Sequence, residues 1–203
     1  MVTIDELHVG DAPDAWRAIG FEVDDDVCQV GAVQLRLGVV GTGITDWALR
    51  DVPADVTQVD GVPTSLSTTP ARKSGTHPNG VTRIDHLVLM TPDLPRTTAA
   101  VAALGLDVRR ERDAGAFQQV FFRLGEVILE VVGPVEAGPG PASLWGITFA
   151  VDDLDATAAL LGDRVGRVKD AVQPGRQITT LRGNDIGISP AIAFMSERER
   201  HQA

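Results

Sequence analysis

A succession of strand, helix, glycine and three short strands recurs along this chain of 203 residues, and a repeat of that size constrains the fold more than any single residue does. The clearest copy opens with TRIDHLVLMTPDL (82–94), an alternating strand-like run ending in a helix start, where Asp93 can cap the N–H groups exposed just before Pro95. A helix to about Leu104 and a stop at Gly105 lead into LDVRRER, AFQQVFFRLG and EVILEVVGP, which read as three strands. The order returns from 144 with LWGITFAV, then DDLDATAALL with Leu154, Ala158 and Leu161 on one helical face, then Gly162, VGRVKDAV, RQITTLRG and SPAIAFMS. A version with a shorter helix occupies 3–40: TIDELHV, DAPDAWRAI, Gly20, FEVDDD, VCQVG and AVQLRLGVV. Two landmarks align between copies, VGAVQLRLGV (30–39) with LGEVILEVVG (124–133), and MTPDL (90–94) with AVDDL (150–154). Such a unit cannot bury one face of its own small sheet, so neighbouring units are expected to pack together or close a barrel.

Charge divides the chain unevenly. Residues 1–61 hold 12 acids and 3 bases, a net of −9, out of a whole-chain net of −10. Residues 62–80, VPTSLSTTPARKSGTHPNG, have the Pro, Ser, Thr and Gly content of a linker. The expected organisation is an acidic half-module (1–61), a linker (62–80) and a domain of two modules (81–203; 82–135 and 144–196). The acidity disfavours nucleic acid, and no apolar run approaches the ~18 residues needed to span a bilayer. The single cysteine, Cys28, and the lack of a secretory leader in MVTIDELHVG point to a cytoplasmic chain. GVVGTG (38–43) lacks the spacing of a nucleotide-binding loop, no G-x-S-x-G elbow is present, and His77 and His201 read as solvated.

The succession IDHLVLMTPDL, helix, FFRLGEVILEVVGP and WGITFAVDDLDATAALLG resembles the vicinal oxygen chelate superfamily, the glyoxalase/bleomycin resistance protein/dioxygenase group. The resemblance spans 82–196 well and 3–61 more weakly. It implies an α+β fold of βαβββ modules paired into an open, cup-shaped barrel around a ligand or metal, here with an extra N-terminal half-module.

Strand alternation indicates which residues could face that cup. In IDHLVLM, His86 shares a face with Ile84, Val88 and Met90, opposite Asp85, Leu87 and Leu89. In EVILEVVG, Glu130 stands between Ile128 and Val132. A polar group in an apolar row needs a partner, and an imidazole with a carboxylate suits Zn, Fe, Mn or Ni. The resemblance implies metal ligands on the first and last strands of both modules, and His86 and Glu130 match the first module's two. The second module offers Gly146 and Phe194 or Met195 instead, so the expectation is of no stoichiometric metal, with a divalent ion on His86 and Glu130 as the alternative. In the first unit the equivalents are Glu6 and Arg36.

Small Gly146 and Thr148 would leave room for a ligand. Gln119 and Arg123 share one strand face, and Arg182 shares another with Thr180. Arg176, in the turn QPGR, would stand at the cup mouth. Strand register decides which arginines face inward, to clamp a carboxylate or enolate oxygen. Two functions stay open: a lyase, isomerase or dioxygenase in which His86 and Glu130 are catalytic, and a metal-free protein that binds a small organic molecule without turnover. An odd number of half-modules leaves a bare sheet edge, which leads to the expectation of a homodimer.

Overall fold

A computed structural model of the chain describes residues 1–68 and 75–197. The second sheet carries the two long modules. The first comprises β7 (Val81–Met90), α2 (Leu94–Ala102), β8 (Arg110–Ala114), β9 (Phe117–Leu124) and β10 (Val127–Pro134). The second comprises β11 (Ser143–Val151), α3 (Leu154–Leu161), β12 (Lys169–Asp170), β13 (Gln177–Thr180) and β14 (Ala191–Ser196). The strand order is β12-β13-β14-β11-β7-β10-β9-β8, with β7 and β11 antiparallel at the centre, β10 parallel to β7, and β14 parallel to β11. Its end strands β12 and β8 do not pair with each other, so the sheet is an open cup rather than a closed barrel.

Local chemistry sets the helices. Asp93 Oδ1 accepts from Arg96 N at 3.0 Å and Asp153 Oδ1 from Ala156 N at 2.9 Å, each capping a first turn. Gly105 (φ +85°) and Gly162 (φ +56°) end α2 and α3 in backbone that a side chain would strain. The helices press Leu94 and Val101, Leu154 and Leu161 onto the face of the sheet that carries Leu87, Leu129, Ile147 and Phe149. That face is the core, and the opposite, concave face is left for polar side chains.

The first sheet repeats the plan on a smaller scale. It contains β1 (Thr3–Val9), α1 (Pro13–Ala18), β2 (Val27–Val30) and β3 (Val33–Leu37), followed by β4 (Ile44–Arg50), β5 (Gln58–Val59) and β6 (Val62–Leu66). The order is β2-β3-β1-β4-β6-β5, with antiparallel β1 and β4 at the centre and β3 and β6 parallel to them. The N-terminal unit therefore has a partner within its own chain, a set of three strands in which residues 51–57 replace the helix. This corrects the reading of 62–66 as linker: these residues form β6, and Val62 is 3% exposed. The unpaired half that motivated a homodimer is also removed as a reason for one. FEVDDD forms no strand beyond a single bridge from Asp24 to Val27.

One apolar core joins the two sheets, with Phe21 and Trp16 ring-packed on Phe149 at 5.0 and 6.2 Å. His77 belongs to this junction and is not solvated. It is 8% exposed, accepts from Glu22 N at Nδ1 (3.1 Å) and donates from Nε2 to Gln29 O (3.0 Å). Burial lowers its pKa from the ordinary histidine value. His201 lies outside the described residues. Among the described residues no helix is long and apolar enough to cross a membrane.

Candidate functional site

Register fixes the inward faces that alternation alone left open. His86 lies opposite Ile128 on one side and Thr148 on the other, and Glu130 lies opposite Val88 and Phe121. Arg123 pairs with Ile128, Gln119 with Val132 and with Arg112, and Arg110 with Phe121. Residues opposite each other on paired strands point to the same side. His86, Glu130, Gln119, Arg123, Thr148, Arg110 and Arg112 therefore all project from the concave face. Together with the loop Val172–Gly175, several of them line a cleft of about 900 Å³.

At its floor His86 Nε2 stands 3.6 Å from Glu130 Oε2, and the two side chains are 11% and 13% exposed. Gln119 Nε2 donates to Glu130 Oε1 at 2.7 Å, while Gln119 Oε1 is buried with no hydrogen-bond partner. Burial pushes the Glu130 carboxyl above its ordinary pKa, against the pull of His86 and Arg112. Such a carboxyl is better matched to proton transfer near neutrality than an ordinary surface glutamate.

The other ring nitrogen of His86 meets a residue that alternation assigned to the opposite face. A bulge sets β7 against β11, with Thr148 opposite His86 but Phe149 opposite Ile84, so Asp85 is the extra residue. Its carboxylate, 3% exposed, accepts from His86 Nδ1 at 3.1 Å through Oδ2. Its Oδ1 meets Arg176 Nη2 at 2.9 Å and Arg83 Nη1 at 3.2 Å. Burial alone would raise the pKa of Asp85, but the hydrogen bonds from His86 and Arg176 and their charges hold it well below the usual carboxylate range. Two adjacent polar residues within an apolar strand were the available hint of this bulge.

The expected ligand-binding residues divide. Gln119, Arg123 and Thr148 share the concave face with His86 and Glu130. Arg176 does not stand free at the mouth: it is 5% exposed, ion-paired with Asp85, and donates from Nε to Ser196 O at 2.7 Å. Arg182 lies outside the strands, donates to Asp163 O at 3.2 Å, and borders a separate groove with Trp145. Gly146 leaves no open room either, because a Cβ there would come within 2.5 Å of Ala191 O on β14. Arg109, Arg110 and Arg112 line the cleft together with Arg123. The run RRER carried that information in its density of arginine, but not in which of its residues would face inward.

The donor set bears on a metal. His86 and Glu130 could each give one donor to a shared ion, but the neighbouring positions are Thr148, Ala193 and Met195. Among the described residues no group of three His, Cys, Asp or Glu side chains is placed to hold a metal ion. Two protein donors do not match the three or four that hold a transition metal firmly, so the residues present do not fit a tightly bound ion.

The first sheet holds a different pair at the matching positions. Glu6 and Arg36 sit in the register of His86 and Glu130, and Arg36 Nε donates to Glu6 Oε2 at 3.0 Å. His8 lies beside them, against both Glu6 and Asp46.

No protein-family model and no curated protein sequence matches the chain. Solved structures do. A mutant of 4-hydroxymandelate synthase from Streptomyces coelicolor matches with a TM-score of 0.65 at 14% identity, over 98% of this chain and 93% of that one. An extradiol ring-cleaving dioxygenase from B. fuscum matches with a TM-score of 0.60 at 15% identity, over 100% and 73%. A xylose isomerase-like TIM barrel/4-hydroxyphenylpyruvate dioxygenase fusion protein matches at 0.66 and 11% identity, over 99% of this chain, which spans half the length of that one. These likenesses take in both sheets, the acidic N-terminal one included, and the architecture is that of the vicinal oxygen chelate fold.

Proposed function

We propose that the chain binds a small organic molecule bearing a carbonyl or carboxylate in the cleft of the second sheet, and that Glu130 moves a proton on it, as in a lyase or isomerase. The observation that carries this reading is the pairing of Glu130 with His86 at 3.6 Å on the floor of a cleft bordered by Arg109, Arg110, Arg112 and Arg123. In a chain of net charge −10, four arginines lining one cleft form a local anion-attracting surface.

In this scheme Glu130 takes a proton from the carbon beside a carbonyl. The C–H electron pair moves onto the carbonyl oxygen, and an arginine stabilises the resulting enolate. Returning the proton gives an isomer, and expelling a group from the neighbouring carbon gives a lyase product.

A second reading, metal-free binding without turnover, is favoured by the side chains across the concave face from His86: Thr148 opposite it on β11, and Ala193 and Met195 beyond on β14, none of which supplies a titratable group. One experiment separates the two. A panel of small 2-oxo acids and dicarboxylates is screened by thermal shift, and the binders are followed by NMR for exchange of carbon-bound hydrogen in D₂O. The acid–base reading expects exchange that falls by about 10²–10⁴ in Glu130→Gln, with affinity kept within about tenfold. Binding without exchange in the wild type selects the second reading, and failure of every compound to bind removes both.

A further inference from the structure

Charged side chains run from the floor of the cleft through strand β7. Glu130 faces His86, His86 faces Asp85, Asp85 faces Arg176 and Arg83, and Arg83 Nη2 reaches Glu197 Oε2 at 2.8 Å. The two oxygens of Asp85 divide these contacts, with both guanidinium groups approaching Oδ1 and His86 Nδ1 on Oδ2. A guanidinium stays protonated at any working pH, so the Asp85 carboxylate beside two of them acts only as an acceptor. The nitrogen that faces Oδ2 must then carry a proton.

From this arrangement we propose that Asp85 and Arg176 are positioning residues for the cleft: Asp85 holds the neutral His86 ring as its Nδ1–H tautomer with the Nε2 lone pair turned to Glu130, and Arg176 holds Asp85. The consequence for Glu130 is specific. An Nε2 without a proton can only accept a hydrogen bond on the side that faces Glu130, whereas an Nε2 that carries a proton can only donate one. Arg176 has a second duty in the same contact. It closes the loop Val172–Gly175, one wall of the cleft, and its ion pair with Asp85 and its hydrogen bond to Ser196 O tie that wall to the anchor that orients the ring. The role in turnover rests on the proposed function, whereas the tautomer does not.

Nitrogen NMR on the full chain labelled at histidine tests this. The chain has four histidines, and the signal lost in His86→Gln is that of His86. Spectra are taken as pH is raised until the ring is neutral. The expected wild-type result is a proton on Nδ1 and none on Nε2. Asp85→Asn keeps the shape but changes one atom: with Oδ1 held by the two arginines, the amide NH₂ faces Nδ1 and can only donate. In that variant the neutral ring is expected to move its proton to Nε2. A wild-type ring protonated on Nε2, or a proton position unchanged in Asp85→Asn, overturns the proposal. Should Asp85→Asn fail to fold by circular dichroism, the wild-type spectrum still decides. A wild-type spectrum as expected, alongside failure of every carboxylate to bind, would sink the proposed function and leave this inference standing.

Discussion

Replacing Arg176 by Met tests whether the charges under the cleft are a mutually dependent set. Arg176 is 5% exposed and Asp85 3%, so the substitution leaves a buried carboxylate short of its shortest ion-pair contact. Breaking one side of a buried pair costs about 3–5 kcal/mol. Asp85 retains Arg83 at 3.2 Å and His86 at 3.1 Å, which places the expected loss at the lower end, about 3 kcal/mol. For a chain of this length that corresponds to a fall in Tm of roughly 6–12 °C. Denaturant titration at several pH values measures it. The Asp85 carboxyl is held below its ordinary value in the folded protein, so the unfolded chain binds more protons and stability rises with pH through that window. This contribution is complete above about pH 5 and is lost as pH falls toward the folded value. In Arg176→Met the folded pKa moves back up, so the gap between the two proteins narrows as pH is lowered from about 5 to 3. A loss below about 1 kcal/mol, or a gap that stays constant with pH, would refute the dependence. Adding Asp85→Leu to Arg176→Met is expected to cost less than the two single losses summed, because the stranded charge is then gone.

Two further tests address the cleft and its frame. Gly146→Ala places a methyl group 2.5 Å from Ala191 O and 2.9 Å from its Cβ, so β11 and β14 must part. The expected cost is about 1–3 kcal/mol by chemical denaturation, and wild-type stability would show that the glycine is not required by this close approach. Arg112→Ala removes a guanidinium whose charge acts on Glu130. Affinity for a bound carboxylate is expected to fall by about tenfold and to become less salt-dependent, which calorimetry at two ionic strengths measures; an unchanged salt dependence would remove Arg112 from the ligand's surroundings.

Much of the second sheet was legible because its local signals agree with its tertiary ones. Asp93 and Asp153 cap the helices, glycines at 105 and 162 stop them, and strict alternation in ILEVV sends Glu130 to the concave side. The first sheet was only half legible. β4 to β6 lack a helix between them, and VPTSL carries a proline and two hydroxyl residues where a strand usually carries branched apolar ones. Pairing with β4 makes it a strand, which composition does not reveal. Asp85 and Arg176 were hidden for a related reason. A bulge is a property of two strands together, and a turn arginine is buried only when something opposite attracts it. Alternation read along β7 alone therefore placed Asp85 among the leucines.

The ion pair of Glu6 with Arg36 bears on how a duplicated architecture can diverge. In the first sheet the two inward charges at the matching positions hold each other, Arg36 on Glu6 at 3.0 Å. Innovation can then be confined to the other half, where His86 and Glu130 face each other at 3.6 Å on the floor of an open cleft. Residues around that opening are free to drift toward new chemistry, because the joint core beneath them is supported from the quiet side.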